Sequence, residues 1–164
     1  MQFDNPENPN IHELTTGPEI ISAMNGIGKS VDAFVAGVGT GGTLSGIGRA
    51  LKKENPNTKV YALEPSESPL LKDGKTGKHG IAAGFIPKNF DKDVYDGIVE
   101  VSTDEAMKIA CEVAKNEGFL PGIFAGANIH GAIELAKKLG KGHAVVTVSP
   151  DGGDRYLSTA LFNE

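Results

Sequence analysis

Between an apolar run, Val31-Asp32-Ala33-Phe34-Val35-Ala36, and a stretch of helical character from Leu44 onward lies Gly37-Val38-Gly39-Thr40-Gly41-Gly42-Thr43. Strand, glycine loop and helix in that order commit the chain to a βα unit. The same order is a recipe for holding a phosphate. Glycines let successive backbone N–H groups turn onto an anion, and the following helix adds its unpaired first amides and the positive end of its dipole. Thr40 and Thr43 add hydroxyl donors. Four glycines in seven residues exceed what tight turning alone requires. A phosphorylated cofactor or substrate is therefore expected at this turn. The residues leave a second reading open. Gly37, Gly39 and Gly42 match G-x-G-x-x-G, and Glu64 ends the next strand, where a dinucleotide fold places its ribose-binding acid.

Lys59-Val60-Tyr61-Ala62-Leu63-Glu64-Pro65 reads as a second strand, closed by proline, and completes a βαβ unit with a parallel pair and a right-handed crossover. Two more strands are expected at 97–101 and 144–149, and helices at 18–25, 44–54, 103–117, 127–139 and from Tyr156. Ser102-Thr103-Asp104-Glu105 is a cap for the helix that carries Cys111. Residues 2–16, with Asn5-Pro6 and Asn8-Pro9, read as an irregular connector, and 66–93 as a long polar loop. The alternation predicts an α/β fold: one domain over 1–164, a three-layer sandwich with a mostly parallel central sheet of about four strands and helices on both faces. Ligands of such sheets sit beyond the carboxyl ends of the strands, so the glycine loop, the Pro65 turn and the Asp151 turn share one rim.

A formal charge of −5 gives no footprint for nucleic acid or an anionic membrane, and no apolar run reaches the length of a membrane span. The start, Met1-Gln2-Phe3-Asp4-Asn5-Pro6, is unlike a secretory signal. One cysteine, Cys111, excludes an internal disulfide and suggests a reducing compartment, so a cytoplasmic location is expected. His12, His79, His130 and His143 are scattered and predict no metal site; no G-x-S-x-G elbow is present. Asp151 and Asp154 flank two glycines at a strand end, which suits either an Asx turn capping the last helix or a ligand contact. From the residues alone the chain is a phosphate-binding α/β domain with no identifiable catalytic group.

Several stretches together carry a resemblance. Gln2-Phe3-Asp4-Asn5-Pro6 with Ile11-His12-Glu13-Leu14-Thr15-Thr16-Gly17-Pro18-Glu19, the Gly37–Thr43 loop, Gly80-Ile81-Ala82-Ala83-Gly84-Phe85-Ile86-Pro87 and Asp154-Arg155-Tyr156-Leu157-Ser158-Thr159-Ala160-Leu161-Phe162 resemble, in order, the cysteine synthase family (O-acetylserine sulfhydrylases). These are fold-type II pyridoxal-phosphate enzymes that turn O-acetylserine and sulfide into cysteine and acetate. The resemblance speaks against the dinucleotide reading. It implies that Gly39, Thr40, Gly41, Gly42 and Thr43 hold the phosphate of pyridoxal 5′-phosphate, that Gln2 lies near the substrate carboxylate and that Gly80 lies by the bound amino-acid substrate. It also implies a homodimer, and a partner in the C-terminal tail of serine acetyltransferase.

The departures are specific. The lysine that captures the cofactor aldehyde and the loop that grips the substrate carboxylate lie upstream of the matched region in the family, and no lysine here has the family's motif around it. The chain resembles the C-terminal half and is expected to be inactive alone, with no catalytic residue of its own and no covalent link to the cofactor. The family's Pro-Ser-Ser-Gly, whose second serine meets the pyridine nitrogen, is Pro150-Asp151-Gly152-Gly153 here, which leaves Asp151 as the substitute beside a side-chain-free Gly152. Gly-Ile-Ser-Ser-Gly-Ala is replaced by Gly122-Ile123-Phe124-Ala125-Gly126-Ala127, where Phe124 narrows the pocket. The alternative is a non-catalytic module that keeps the cup for a phospholigand; an NAD-binding domain is the third.

Overall fold

Four parallel strands, in the order β3-β2-β1-β4, form the centre of the computed structural model, which describes residues 1–74, 85–159 and 161. They are β1 (Ala33–Gly37), β2 (Lys59–Pro65), β3 (Gly97–Val101) and β4 (Val145–Thr147). Val35 pairs with Tyr61 on one side and Thr147 on the other, so β1 is flanked by strands along both edges. Side chains alternate across the sheet as the two-residue period requires. Phe34 and Ala36 face one core with Leu44, Ile47 and Leu51 of α3 (Gly42–Glu54), against which Ile20 and Met24 of α2 (Gly17–Gly26) also pack. Val35 and Leu63 face the other, with Ala106 of α5 (Thr103–Glu117) and Ala127 and Leu135 of α6 (Ile123–Leu139). Phe34, Leu44 and Ile47 are fully buried, each worth roughly 2 kcal/mol relative to exposure. The α/β three-layer arrangement expected from the sequence is the one observed, with every strand pair parallel.

The N-terminal stretch departs from expectation. Residues 2–16 are not an irregular connector: α1 (Glu7–Ile11) runs through a π-helical segment (His12–Thr16) into α2. The Asn-Pro pairs misled because a proline in a first turn costs no hydrogen bond, its N–H being one of the unpaired ones. Pro9 is the third residue of α1, and Pro18 follows the π segment, where the regular hydrogen-bond ladder is already interrupted. Glycines let this helical run lie flat on α3. A Cβ at Gly46 would come 2.1 Å from the Pro9 carbonyl oxygen, and one at Gly17 would come 2.4 Å from Ala50 Cβ.

Elsewhere the differences are local. The expected long loop after β2 contains α4 (Leu70–Asp73), and α5 opens with a full capping box between Ser102 and Glu105. Helix α6 starts at Ile123, earlier than the expected residue 127, and a 3₁₀ turn (Gly153–Tyr156) ends at Tyr156, where a final helix was expected to begin; residues 160 and 162–164 of that expected helix lie outside the described residues. Both follow from one carboxylate, described below. Among the described residues no helix is long and apolar enough to cross a membrane.

Candidate cofactor site

The glycine loop leaves β1 held by α6 and by β2. The Gly37 amide donates to Asn128 Oδ1 at 2.8 Å, and the Val38 amide to the Leu63 carbonyl at 3.0 Å. After these two, the amides of Gly39, Thr40 and Gly41 meet no acceptor among the described residues. Gly41 turns the chain into α3 with φ 82°, and a Cβ there would lie 2.7 Å from Phe90 Cα. Only glycine adopts that backbone in that space without strain. The loop thus delivers free amides to the N-terminus of a thirteen-residue helix, where the dipole favours an anion.

The helical N-terminal run braces both threonines of the loop. Asn8 Nδ2 donates to Thr40 Oγ1 at 2.9 Å, and the Gly42 amide approaches the same oxygen at 3.4 Å. With two donors on its oxygen, the Thr40 hydroxyl keeps its hydrogen for another acceptor. One turn further on, His12 sits between Thr16 Oγ1 (3.0 Å, at Nδ1) and Thr43 Oγ1 (3.2 Å, at Nε2). Burial pushes the His12 pKa below its ordinary value, which favours the neutral ring. A neutral imidazole has one donor and one acceptor, so it can serve both hydroxyls at once.

Gly39, Thr40, Gly41 and Thr43 line one side of a cleft of about 310 Å³; Phe124, Asn128, Asp151, Arg155 and Tyr156 line the other. That volume is within the range of small-molecule sites. Gly42 is packed behind the loop instead, since a Cβ there would come 2.0 Å from Asn8 Oδ1. Gly152 contributes no lining, and Gln2 is exposed at the far side of Asn8, with its carbonyl held by Asn8 and Asn89. Gly80 lies outside the described residues.

Asp151 does cap a helix, but it is α6 and not the last one. Its carboxylate accepts from the amides of Ala125 (2.7 Å) and Phe124 (3.2 Å) and from the Tyr156 phenol (2.6 Å), while its carbonyl takes the Gly122 amide (2.9 Å). Burial, with the hydrogen bond to Asp151, pushes the Tyr156 phenol up to about 12. The carboxylate therefore starts α6 early and fixes Tyr156 in the 3₁₀ turn. Glu64 is also spent locally: buried at the end of β2, it accepts from the amides of Leu71 (2.6 Å) and Lys72 (3.0 Å) at the start of α4. At 3% exposed and outside the lining of the cleft, Glu64 does not present the acid that the dinucleotide reading needs.

Asn128 was missed by sequence reasoning. It is 3% exposed, and besides holding Gly37 it donates to the Val148 carbonyl at 2.9 Å, tying α6 to β1 and to the residue that follows β4. Its signal was a lone amide in the otherwise apolar run from Ile123 to Ala132, apart from His130. Asn8 was hidden by the reading of its segment as a connector.

A family model described as pyridoxal-phosphate dependent enzyme matches residues 1–151. A cysteine synthase of Staphylococcus aureus is 54% identical over 166 aligned residues, covering 99% of this chain and 53% of the relative. A probable cysteine synthase of Bacillus subtilis is 46% identical over the same shares. Among solved structures, a hydrogen sulfide-producing enzyme from Fusobacterium nucleatum superposes with a TM-score of 0.94 at 44% identity, over 99% of this chain and 50% of that one. The chain spans about half the length of the curated relatives it matches. The donors present suit the family's cofactor: free loop amides, an oriented hydroxyl and a helix N-terminus for a phosphate dianion, with a small cleft beside them for a ring. Sequence, fold and the chemistry of the cradle agree, and the chain belongs to the pyridoxal-phosphate dependent enzymes.

Proposed function

We propose that residues 1–164 act as one domain of a cysteine synthase, which replaces the acetate of O-acetylserine by sulfide. The observation that carries this reading is the braced cradle, in which Asn8 occupies the Thr40 oxygen and leaves the hydroxyl hydrogen and the loop amides for a phosphate. When bound, pyridoxal 5′-phosphate supplies the electron sink that lets acetate leave the β-carbon of the amino acid. The chain's own part is to bind and orient. Gly39, Thr40 and Gly41 hold the phosphate through amides and hydroxyl, Gly42 gives the close approach to Asn8, and Thr43 is set by His12. Asp151 has three donors on its carboxylate and room for a fourth, which suits a place beside the ring nitrogen next to Gly152. Phe124, 39% exposed, narrows the cleft from the α6 side. Gln2 and Gly80 are assigned to the substrate side.

The proposal extends to the setting. The aldehyde-capturing amine comes from a complementing segment, the assembly is a homodimer, and the serine acetyltransferase tail is its protein partner. A cytoplasmic location is supported by the single thiol Cys111.

The test is a titration of the chain with pyridoxal 5′-phosphate, followed by visible absorbance, with borohydride reduction and mass mapping. Saturable binding that inorganic phosphate competes away, with no lysine adduct and no cysteine formed from O-acetylserine and sulfide, is the expected result. Absence of binding would overturn the cofactor assignment. A single mapped lysine, or turnover by the chain alone, would overturn its assignment as one part of the enzyme.

A further inference from the structure

Asn8 bonds both the glycine loop and the backbone at Gln2 through a single nitrogen. A side-chain amide nitrogen has two hydrogens, and both are used here: Nδ2 donates to Thr40 Oγ1 at 2.9 Å and to the Gln2 carbonyl at 2.7 Å. The Gln2 carbonyl is held from a second side by Asn89 Nδ2 at 2.8 Å, and the Asn89 amide donates to the Phe3 carbonyl at 3.3 Å. Asn8 Oδ1 lies against Gly42, so the side chain is clasped between the loop and the N-terminal segment. It does not line the cleft. Its effect on a ligand must pass through Thr40.

From this we infer that Asn8 is a positioning residue that couples occupancy of the phosphate site to the backbone at Gln2. The inference rests on the reading of the cleft as a pyridoxal-phosphate site. By occupying the Thr40 oxygen, Asn8 holds the hydroxyl in the rotamer that donates outward. An anion that accepts from that hydroxyl polarises it and strengthens the bond from Asn8, as chained hydrogen bonds do. The same nitrogen carries the bond to Gln2, so the strain and motion of the two bonds are shared. Linkage makes the effect mutual: an occupied loop steadies residues 1–8, and a steadied N-terminal segment raises affinity at the loop. A carboxylate at this position would donate to neither partner and would add a negative charge behind the anion.

The experiment compares the 164-residue chain with its Asn8→Ala, Asn8→Asp, Thr40→Val and Thr40→Ser variants. It reads the dissociation constant for pyridoxal 5′-phosphate by absorbance and amide hydrogen exchange with and without saturating ligand, after circular dichroism has checked the fold. In the wild-type chain the ligand slows exchange both at 37–43 and at 1–8. Asn8→Ala is expected to bind about tenfold more weakly, the scale of one lost hydrogen bond, and at saturation to protect 37–43 without protecting 1–8. Asn8→Asp binds more weakly still. Thr40→Ser, which keeps the hydroxyl, retains protection at 1–8. If Asn8→Ala fails to fold, Thr40→Val removes the acceptor from the other side and must likewise lose protection at 1–8 when loaded. Undiminished protection at 1–8 in loaded Asn8→Ala or Thr40→Val overturns the coupling while leaving the cofactor site intact. A wild-type chain that binds no pyridoxal 5′-phosphate overturns the cofactor reading and the coupling with it.

Discussion

The Tyr156 phenol donates to Asp151 Oδ2 at 2.6 Å, and the same carboxylate holds the first amides of α6. Two turns of chain are thereby locked by one side chain. Asp151→Ala removes the cap and the phenol's acceptor together, and is expected to lower unfolding free energy by about 2 kcal/mol. Urea denaturation followed by circular dichroism measures it; a loss below about 0.5 kcal/mol would mean that the cap contributes nothing net.

The phenol of Tyr156 also gives an alkaline signature. Its pKa is raised from 10.0 to about 12 by burial and by Asp151. An unfolded tyrosine loses its proton first, so the unfolded chain binds fewer protons between these values and stability falls as pH rises. The contribution is complete below the unfolded value and gone above the folded one. Tyr156→Phe removes that part of the slope, which paired urea titrations at about pH 9 and about pH 11.5 resolve.

Asn128→Ala strands the Gly37 amide and the Val148 carbonyl. A cost of about 2 to 3 kcal/mol is expected from the two unpaired groups. Affinity for pyridoxal 5′-phosphate should fall as well, because the loop loses its hold on α6. Denaturation and cofactor titration on the same variant separate the two effects.

The glycines of the loop differ in what they tolerate. Gly41 has φ 82° and Phe90 2.7 Å from any Cβ, so Gly41→Ala is expected to cost about 2 kcal/mol or more. Gly39 is exposed, and a Cβ there meets nothing within 4 Å. Gly39→Ala is therefore expected to stay within about 0.5 kcal/mol of the parent in thermal and chemical unfolding.

Acid should weaken the pairing of α3 with the sheet. Burial alone would raise the Asp96 carboxyl, but Lys52 at 2.7 Å, the Val60 amide at 2.9 Å and Lys59 outweigh it and hold it below the ordinary value. A depressed carboxyl stabilises above its unfolded pKa and loses that contribution as pH falls through the folded one. Asp96→Asn should flatten the loss of stability below about pH 4, as unfolding curves across the acid range would show.

What could be read from the sequence was what neighbouring residues decide. The strand–glycine–helix order, the parallel βαβ unit and the Ser102–Glu105 cap depend on contacts within a few positions, and each appears in the structure. Errors arose where a distant group decides. Asn8 and His12 lie on a helical run because Pro9 and Pro18 fall where a missing N–H is harmless, a fact that depends on where the helix begins. Helix α6 has no local cap side chain, and its capping carboxylate comes from Asp151, 26 and 27 positions beyond the amides it holds. Glu64 fits a ribose acid by position alone, yet its carboxylate is taken by amides seven and eight residues on.

The bond between Gly37 and Asn128 spans 91 positions. In a chain made from its N-terminus, β1 and α3 can form while the ribosome is still far from Asn128, but the loop between them lacks its hold at Gly37 until α6 is synthesised and docked. Closure over such a separation is slow relative to local helix formation. The stretch that announces itself most clearly in the sequence is thus among the last to be finished in three dimensions, and a nascent chain passes through a stage in which its most recognisable loop still misses one of its holds.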